Sequence, residues 1–194
     1  MEKQTSLLLI YLVFKEEKME NKQGLIKYFW QITYAHTIAY FIAGIFALVV
    51  MNYRELFATE VIASFMRSIE TPIVVLGPFL QILRGILIAL ILLPLRKTFF
   101  EEKRGLLKLG ITIIGLSLLT TIGPTSGSFE GYIYTKIPYM HQIMGYPEAI
   151  LYVLLFIGIL NISIKYAHKK IVTILSVICV LLISFMSITG FMAY

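Results

Sequence analysis

Arg84 is the residue whose type and position most strongly suggest chemistry, because it lies near the middle of the apolar stretch 71–96. An arginine at the centre of a membrane-spanning helix costs about 2.5–3.5 kcal/mol on insertion scales, so protein groups or a water-filled cavity must compensate its charge. Such an arginine binds an anionic group, gates a proton or ion path, or holds a structural ion pair. Counted from Pro72, Arg84 lies roughly 18 Å along the helix, too far for its side chain to reach the surface unaided.

Three further polar residues are predicted to line the same site. Gln81 lies one helical turn from Arg84 and shares its face. In the preceding apolar stretch, 29–51, His36 and Tyr40 are four residues apart and project from one helix face, which we expect to point inward. Together with Arg84, these side chains form the predicted substrate or ion site.

Glu130 is the predicted partner of Arg84. It belongs to the stretch 123–148, whose glycines, prolines and serines exclude a regular helix at least as far as Gly131. The many aromatic and aliphatic residues of this stretch indicate that it lies at the outer membrane interface. We expect it to fold into the mouth of the helix bundle and to bring Glu130 to Arg84, directly or through water. The alternative is that Arg84 faces a partner subunit, either another membrane protein or a second copy of the chain.

A second group of titratable residues suggests acid–base chemistry at the outer mouth of the bundle. His141 and Glu148 follow Glu130 in the same stretch, and Glu70 precedes the second apolar stretch. Such groups would serve as general acid and base on a lipid-linked substrate. The chain has no G-x-S-x-G motif, and its three histidines lie at different depths without the spacing of metal ligands. We therefore predict no catalytic serine, no metal and no cofactor.

The composition is that of an integral membrane protein. Of the 194 residues 58% are hydrophobic and 14% are charged, and the mean hydropathy is +0.83, whereas soluble domains contain about 25% charged residues. The net charge is +6, but the basic residues stand between apolar stretches, where they act as topology signals and headgroup contacts rather than as a nucleic-acid interface. The single cysteine, Cys179, lies within the last apolar stretch, which excludes an internal disulfide.

The predicted fold is all-α: a polytopic bundle of five transmembrane helices, with an amphipathic interfacial helix over 52–70. Residues 29–194 form a single transmembrane domain, and residues 1–28 form an N-terminal cytoplasmic segment. The first 18 residues of that segment are either a translated leader, with Met19 as the native start, or a short interfacial helix. The predicted spans are 29–51, 72–95, 106–122, 147–164 and 171–194.

The basic residues also set the predicted orientation. Lys and Arg number ten on one side of the five spans and three on the other, so the positive-inside rule places the N-terminus in the cytoplasm and the C-terminus outside. This is the pattern of a multi-pass protein of a bacterial inner (plasma) membrane.

These features favour a small solute or ion carrier, a channel, or a permease-associated subunit, embedded in the lipid bilayer and without a nucleic-acid partner. Two alternatives remain open. One is an outer-leaflet enzyme that uses Glu130, His141 and Glu148, and the other is a structural or accessory membrane protein. A non-enzymatic role is favoured.

Overall fold

The computed structural model describes residues 2–119 and 125–194, with side chains over 24–118 and 125–194, and the described chain is all-helical. A 3₁₀ turn (Leu93–Leu95) and two π-helical segments (Lys97–Glu101 and Gly115–Leu119) extend the α-helices. The α-helices in the described residues are α1 (Glu2–Val49), α2 (Tyr53–Ala58), α3 (Glu60–Ala63), α4 (Pro72–Val75), α5 (Gly77–Leu92), α6 (Gly105–Ile114), α7 (Phe129–Tyr134), α8 (Tyr139–Ile143), α9 (Tyr146–Lys165) and α10 (Lys170–Met192).

Among the described residues, four helical segments are long and apolar enough to cross a membrane, in agreement with the prediction of an all-helical membrane protein. They are Gly24–Val49, Gly77–Leu95, Tyr139–Lys165 and Lys170–Met192. The predicted third span, 106–122, corresponds to a shorter apolar helix, Gly105–Leu118, and part of that span lies outside the described residues. Helix length therefore supports four crossings and leaves the fifth as a prediction.

Helix α1 is the centre of the bundle. It packs against α5, α9 and α10, and it is the most buried of the four long apolar helices. Its buried face carries an alanine at every fourth position, namely Ala35, Ala39, Ala43 and Ala47. Because alanine side chains are small, they let neighbouring helices approach closely, as interfaces between membrane helices require. The outer layer is completed by α6, which packs on α9, and by α10, which also contacts α4 and α5.

The predicted second span, 72–95, is interrupted near its start. Helix α4 ends at Val75 and α5 begins at Gly77, because Pro78 has no N–H to donate to the preceding turn. Ser187 of α10 bridges the break: its hydroxyl donates to the Val75 carbonyl at 2.8 Å and accepts from the Phe79 N–H at 3.3 Å. The backbone groups that the break releases are thus satisfied by a neighbouring helix, as a membrane interior demands.

The bundle has two ends that named contacts define. At the first, the Lys27 end, the Lys27 ammonium donates to the Ala167 carbonyl at 2.9 Å and the Arg96 guanidinium lies 5.3 Å from the Tyr28 ring centre. At the second, the Glu148 end, Glu148 lies in the first turn of α9. The segment 125–145 joins this end, since the Tyr146 hydroxyl donates to the Gly127 carbonyl at 2.6 Å.

Two local predictions require correction. The stretch 52–70 does not form one helix, because the chain is extended at Thr59, which separates α2 from α3. The stretch before Gly131 was expected to lack helix, yet α7 begins at Phe129. The Ser128 side chain accepts the Gly131 N–H at 3.0 Å, and such a cap stabilises a helix start in a glycine-rich sequence.

The interfacial position of 52–70 stays a prediction, and so does the proposal for the N-terminal segment. Helix α1 begins at Glu2 and continues without a break into the first candidate span. The side chains of residues 2–23 lie outside the described part of the structure. Whether Met19 is the native start is a question for the intact mass of the native protein.

Candidate functional site

His36 is the centre of a buried polar cluster that joins three helices. Its side chain is 1% exposed, and both of its ring nitrogens have polar partners. Nδ1 lies 2.7 Å from the Tyr152 hydroxyl of α9, and Nε2 lies 3.1 Å from Oε1 of Gln81 in α5. The imidazole also packs edge-on against Tyr152 and Phe156, whose rings stack on each other. The prediction that the His36 face of α1 points inward agrees with this burial.

The hydrogen-bond pattern fixes the proton positions in this cluster. The Gln81 amide nitrogen donates to the Gly77 carbonyl at 3.2 Å, which turns the amide oxygen toward His36. An amide oxygen only accepts, so Nε2 of His36 must carry a hydrogen. In the neutral imidazole Nδ1 then accepts, and the Tyr152 hydroxyl donates to it. Since both nitrogens are engaged, His36 orients its neighbours and is not free to act as a base in this conformation.

Arg84 lies beside the cluster, on the flank of α5. Its charge acts electrostatically on His36, Tyr40 and Tyr152, so Arg84 and three polar residues of α1 and α9 lie in one region. The side chain of Arg84 is exposed, whereas Gln81, one turn away, is buried. The Cα–Cβ bond of a helical residue tilts toward the N-terminus of its own helix, which for Arg84 is the direction of Gln81 and of the Glu148 end.

The ion pair predicted between Arg84 and Glu130 is not formed directly. Within 4 Å, the ion pairs of the described side chains are Arg54–Glu70, Arg96–Glu101 and Lys108–Glu102, and none contains Arg84. Glu130 lies half-buried in the first turn of α7. The hydrogen bonds and cation–π contacts of the described side chains do not include Arg84 either. Its guanidinium therefore has donors available to a further group.

A close approach of α1 and α5 holds the cluster in position. Gly85 follows Arg84, and a Cβ atom added there would lie 2.8 Å from the Thr33 Cα and 3.1 Å from the Thr33 carbonyl oxygen. The two backbones therefore touch at a point where only glycine fits. This contact is one helical turn from Gln81, so it fixes the distance over which Gln81 reaches His36.

Glu148 is a carboxylate whose charge acts on the cluster, which was expected of Glu130. It accepts a hydrogen bond of 2.6 Å from the Tyr53 hydroxyl, and its charge, like that of Arg84, acts on Tyr40. Tyr53 lies in α2, outside the candidate spans. Burial, followed by the hydrogen bond to Glu148 and the charge of that carboxylate, raises the pKa of Tyr53 above its usual value of about 10.

The residues predicted for the outer mouth are not assembled into one acid–base site. Glu70 forms an exposed ion pair with Arg54 at 3.2 Å. His141 lies half-buried in α8, and its Nδ1 is buried without a hydrogen-bond partner among the described residues. Glu148 is engaged by Tyr53. The structure therefore brings Gln81, Arg84, His36 and Tyr40 into one region, while the outer-mouth residues have separate surroundings.

Sequence reasoning missed two residues of the site. Tyr152 is one aromatic residue among many in its apolar stretch. The signal that could identify it is its position one helical turn after Glu148, which places it on the same face of α9. Tyr53 was assigned to an amphipathic surface segment, and nothing in its sequence surroundings marks it as the partner of a carboxylate 95 positions later.

The fold and the cluster together define a class: a helical membrane protein with a buried polar site between α1, α5 and α9. Comparison of the chain with protein-family models, with curated proteins and with solved structures finds no match. The function must therefore be inferred from the site.

Proposed function

We propose that this chain is a small carrier or permease-associated membrane subunit that binds a solute or ion at the polar cluster around Arg84. The observation that carries the proposal is the placement of His36. A fully buried histidine bonded to side chains of two other helices, beside an arginine that has no ion-pair or hydrogen-bond partner among the described side chains, is a costly arrangement inside a membrane. Ionisable groups at such depth mark substrate or ion sites more often than simple packing.

The division of roles follows from the contacts. His36, Gln81 and Tyr152 form a closed set of hydrogen bonds, which holds α5 and α9 on the two sides of α1. Arg84 and Tyr40 border this set with polar groups that no described side chain occupies by hydrogen bonding. Arg84 and Tyr40 are therefore the groups that meet the solute or ion, and His36 and Gln81 position them. Glu148 and Tyr53 stand at the entrance from the Glu148 end.

The proposal requires that water or solute reaches Tyr40 from the Glu148 end. The test uses single cysteines in a Cys179→Ser background, which removes the only native thiol. We expect Tyr40→Cys to react with a membrane-impermeant methanethiosulfonate added from outside. The matched control is Leu83→Cys, because Leu83 is 61% exposed on α5 but lies among apolar side chains that face lipid. A lipid-facing thiol stays protonated and should not react.

Each result has a defined meaning. Reaction at Tyr40→Cys without reaction at Leu83→Cys supports the carrier. If neither thiol reacts, the bundle is closed and dry, and a structural or accessory role replaces the carrier. Equal reaction at both positions would show that the flank of α5 faces water, and the site as drawn would be wrong. The enzyme alternative would instead require an activity toward an outer-leaflet lipid that His141→Ala abolishes.

We further propose five crossings, with the Lys27 end in the cytoplasm of a bacterial cell. Phe99 and Phe100 lie at the Lys27 end, since the Phe100 ring packs 5.3 Å from that of Tyr28. Gly105 is in close contact with the Phe99 backbone, whereas Gly127 is bonded to Tyr146 at the opposite end. The chain between Gly105 and Gly127 thus has to connect the two ends. The basic residues concentrated at the Lys27 end favour the cytoplasmic assignment.

An alkaline phosphatase fusion tests this topology, because the enzyme is active only outside the cytoplasm. Fused after Tyr194, it should be active if the chain crosses five times and inactive if it crosses four times with the same N-terminal orientation. A fusion after Lys103 is the matched control and should be inactive in both cases. Activity after Lys103 would contradict the assignment of the Lys27 end to the cytoplasm.

A further inference from the structure

The flank of α5 that carries Arg84 is apolar and exposed. Its neighbours at positions −4, −1 and +3 are Leu80, Leu83 and Leu87, which are 38%, 61% and 49% exposed. These leucines are only partly covered by the described chain, and an exposed apolar face on a candidate membrane-spanning helix is suited to contact lipid. Arg84 therefore borders the buried cluster on one side and the acyl chains on the other.

Arg84 lies nearer the start of α5 than the end of its helical segment. Helix α5 starts at Gly77, seven residues before Arg84, which corresponds to roughly 10 Å along the axis. Toward the other end, the helical segment continues for eleven residues to Leu95, roughly 16 Å. Arg84 therefore lies closer to the Glu148 end of α5 than to its Lys27 end, and its Cα–Cβ bond tilts toward the Glu148 end.

A guanidinium in this position needs an anionic partner. It presents five N–H donors in a planar fork that matches the paired oxygens of a carboxylate or phosphate. The nearest acceptor on its own helix, Oε1 of Gln81, is occupied by His36. The Glu148 carboxylate accepts from Tyr53 and is not within 4 Å of Arg84. The partner is then a group that enters from lipid.

We propose that Arg84 binds the oxyanion head of an amphiphile, a phosphate or a carboxylate attached to an acyl chain, which enters sideways from the leaflet at the Glu148 end. The acyl chain lies along Leu80, Leu83 and Leu87, and the hydroxyl of Tyr40 lies near the head. This inference rests on the proposed function in taking the Arg84 cluster as the binding site, and it names the class of ligand.

The test is binding of defined amphiphiles to the full-length protein purified in a mild non-ionic detergent, measured by native mass spectrometry. The probes are phosphatidylglycerol and phosphatidylcholine with identical acyl chains, laurate and dodecanol, and inorganic phosphate alone. We expect one molecule of phosphatidylglycerol or laurate to bind at least about tenfold more tightly than the matched neutral or zwitterionic amphiphile, the value expected for one charge-assisted hydrogen bond to a charged group.

The variants separate a built site from general charge attraction. Arg84→Gln should remove the preference for the anionic amphiphile, and Arg84→Lys, which keeps the charge but loses the fork, should retain part of it. Arg54→Gln is the matched control, since Arg54 is exposed and outside the spans, and it should behave as the wild type. Trp30 fluorescence during unfolding checks that each variant is folded.

Three results would overturn the proposal: equal binding of anionic and neutral amphiphiles, an unchanged preference in Arg84→Gln, or binding of inorganic phosphate alone without binding of either amphiphile. These results are independent of the thiol-labelling test. A labelled Tyr40→Cys with no amphiphile preference would leave the carrier standing with a water-soluble ligand. The converse, selective amphiphile binding with no labelling, would leave the lipid site standing and remove the aqueous entrance.

Discussion

Gly85 offers the sharpest test of the architecture, because its replacement by alanine acts at the contact between α1 and α5. The added Cβ would lie 2.8 Å from the Thr33 Cα and 3.1 Å from the Thr33 carbonyl oxygen. Both atoms belong to the backbone, so no side-chain rotation relieves the overlap and the helices must separate. Overpacking of this kind costs about 1–3 kcal/mol. The shift also pulls Gln81 away from His36 and lengthens their 3.1 Å contact.

Gly158 provides the matched control. It lies within α9, and an added Cβ there meets nothing within 4 Å. Gly85→Ala and Gly158→Ala gain the same helix propensity, about 0.8–1.0 kcal/mol, so the difference between them isolates the helix contact. The expected difference in the free energy of unfolding is about 1–3 kcal/mol, or about a 5- to 150-fold difference in the unfolding equilibrium constant.

The measurement is reversible unfolding in mixed micelles with increasing dodecyl sulfate, followed by the fluorescence of Trp30. This is the single tryptophan of the chain, and its indole N–H donates to Ser176 of α10 at 3.0 Å, so it reports on packing around α1. If Gly85→Ala is as stable as Gly158→Ala, the two helices do not touch at Thr33, and the geometry of the polar cluster deduced from that contact is wrong.

Three further predictions concern hydrogen bonds. In a double-mutant cycle with His36→Phe and Gln81→Leu, the unfolding free energies should couple by about 0.5–3 kcal/mol, and simple additivity would deny the contact. Because the pKa of Tyr53 is raised by burial and by Glu148, the native state keeps this proton after the unfolded chain has lost it. The stabilisation from this proton is fully present below about pH 10 and is lost as the pH rises further. Tyr53→Phe should therefore lower stability at neutral pH by about 1–2 kcal/mol and flatten the decline of stability between about pH 10 and 11. An unchanged decline of stability would show that other tyrosines cause it. Ser128→Ala should cost about 1 kcal/mol in the stability of α7, seen as faster amide exchange in α7 and not in α9.

The membrane class and the approximate helix positions follow from the sequence, because apolar stretches of about 20 residues between basic clusters have few other solutions. The inward direction of His36 was also predictable, since a four-residue spacing with Tyr40 assigns both to one helix face. The boundary of the second helix was less predictable from the sequence. Pro78 indicated a kink, but a complete break required a partner for the freed backbone groups, and Ser187 supplies it from a residue more than 100 positions away.

The expected pairing of Arg84 with Glu130 shows where sequence reasoning stops. The predicted membrane orientation limits the possible glutamate partners of Arg84 to those at the Glu148 end, but it does not show which of them pairs with Arg84. The choice depends on how 125–145 folds, and that segment closes on itself: Tyr146 bonds to Gly127, and Gln142 donates to the Ile137 carbonyl at 2.9 Å. These two hydrogen bonds are made within the segment or to Tyr146 at its end, and Glu130 remains half-buried in α7.

The consequence for Arg84 is more than a missing bond. A membrane arginine whose compensation comes from a protein carboxylate is structural, and its site is occupied. When the carboxylate near it is instead held by a tyrosine, as Tyr53 holds Glu148 at 2.6 Å, the cost of burying the guanidinium persists until an anion arrives. Binding of that anion then releases free energy that the fold itself does not recover. We therefore propose that Arg84, which has no ion-pair or hydrogen-bond partner among the described side chains and lies beside a fully bonded histidine, is one half of a ligand site rather than a fault in packing.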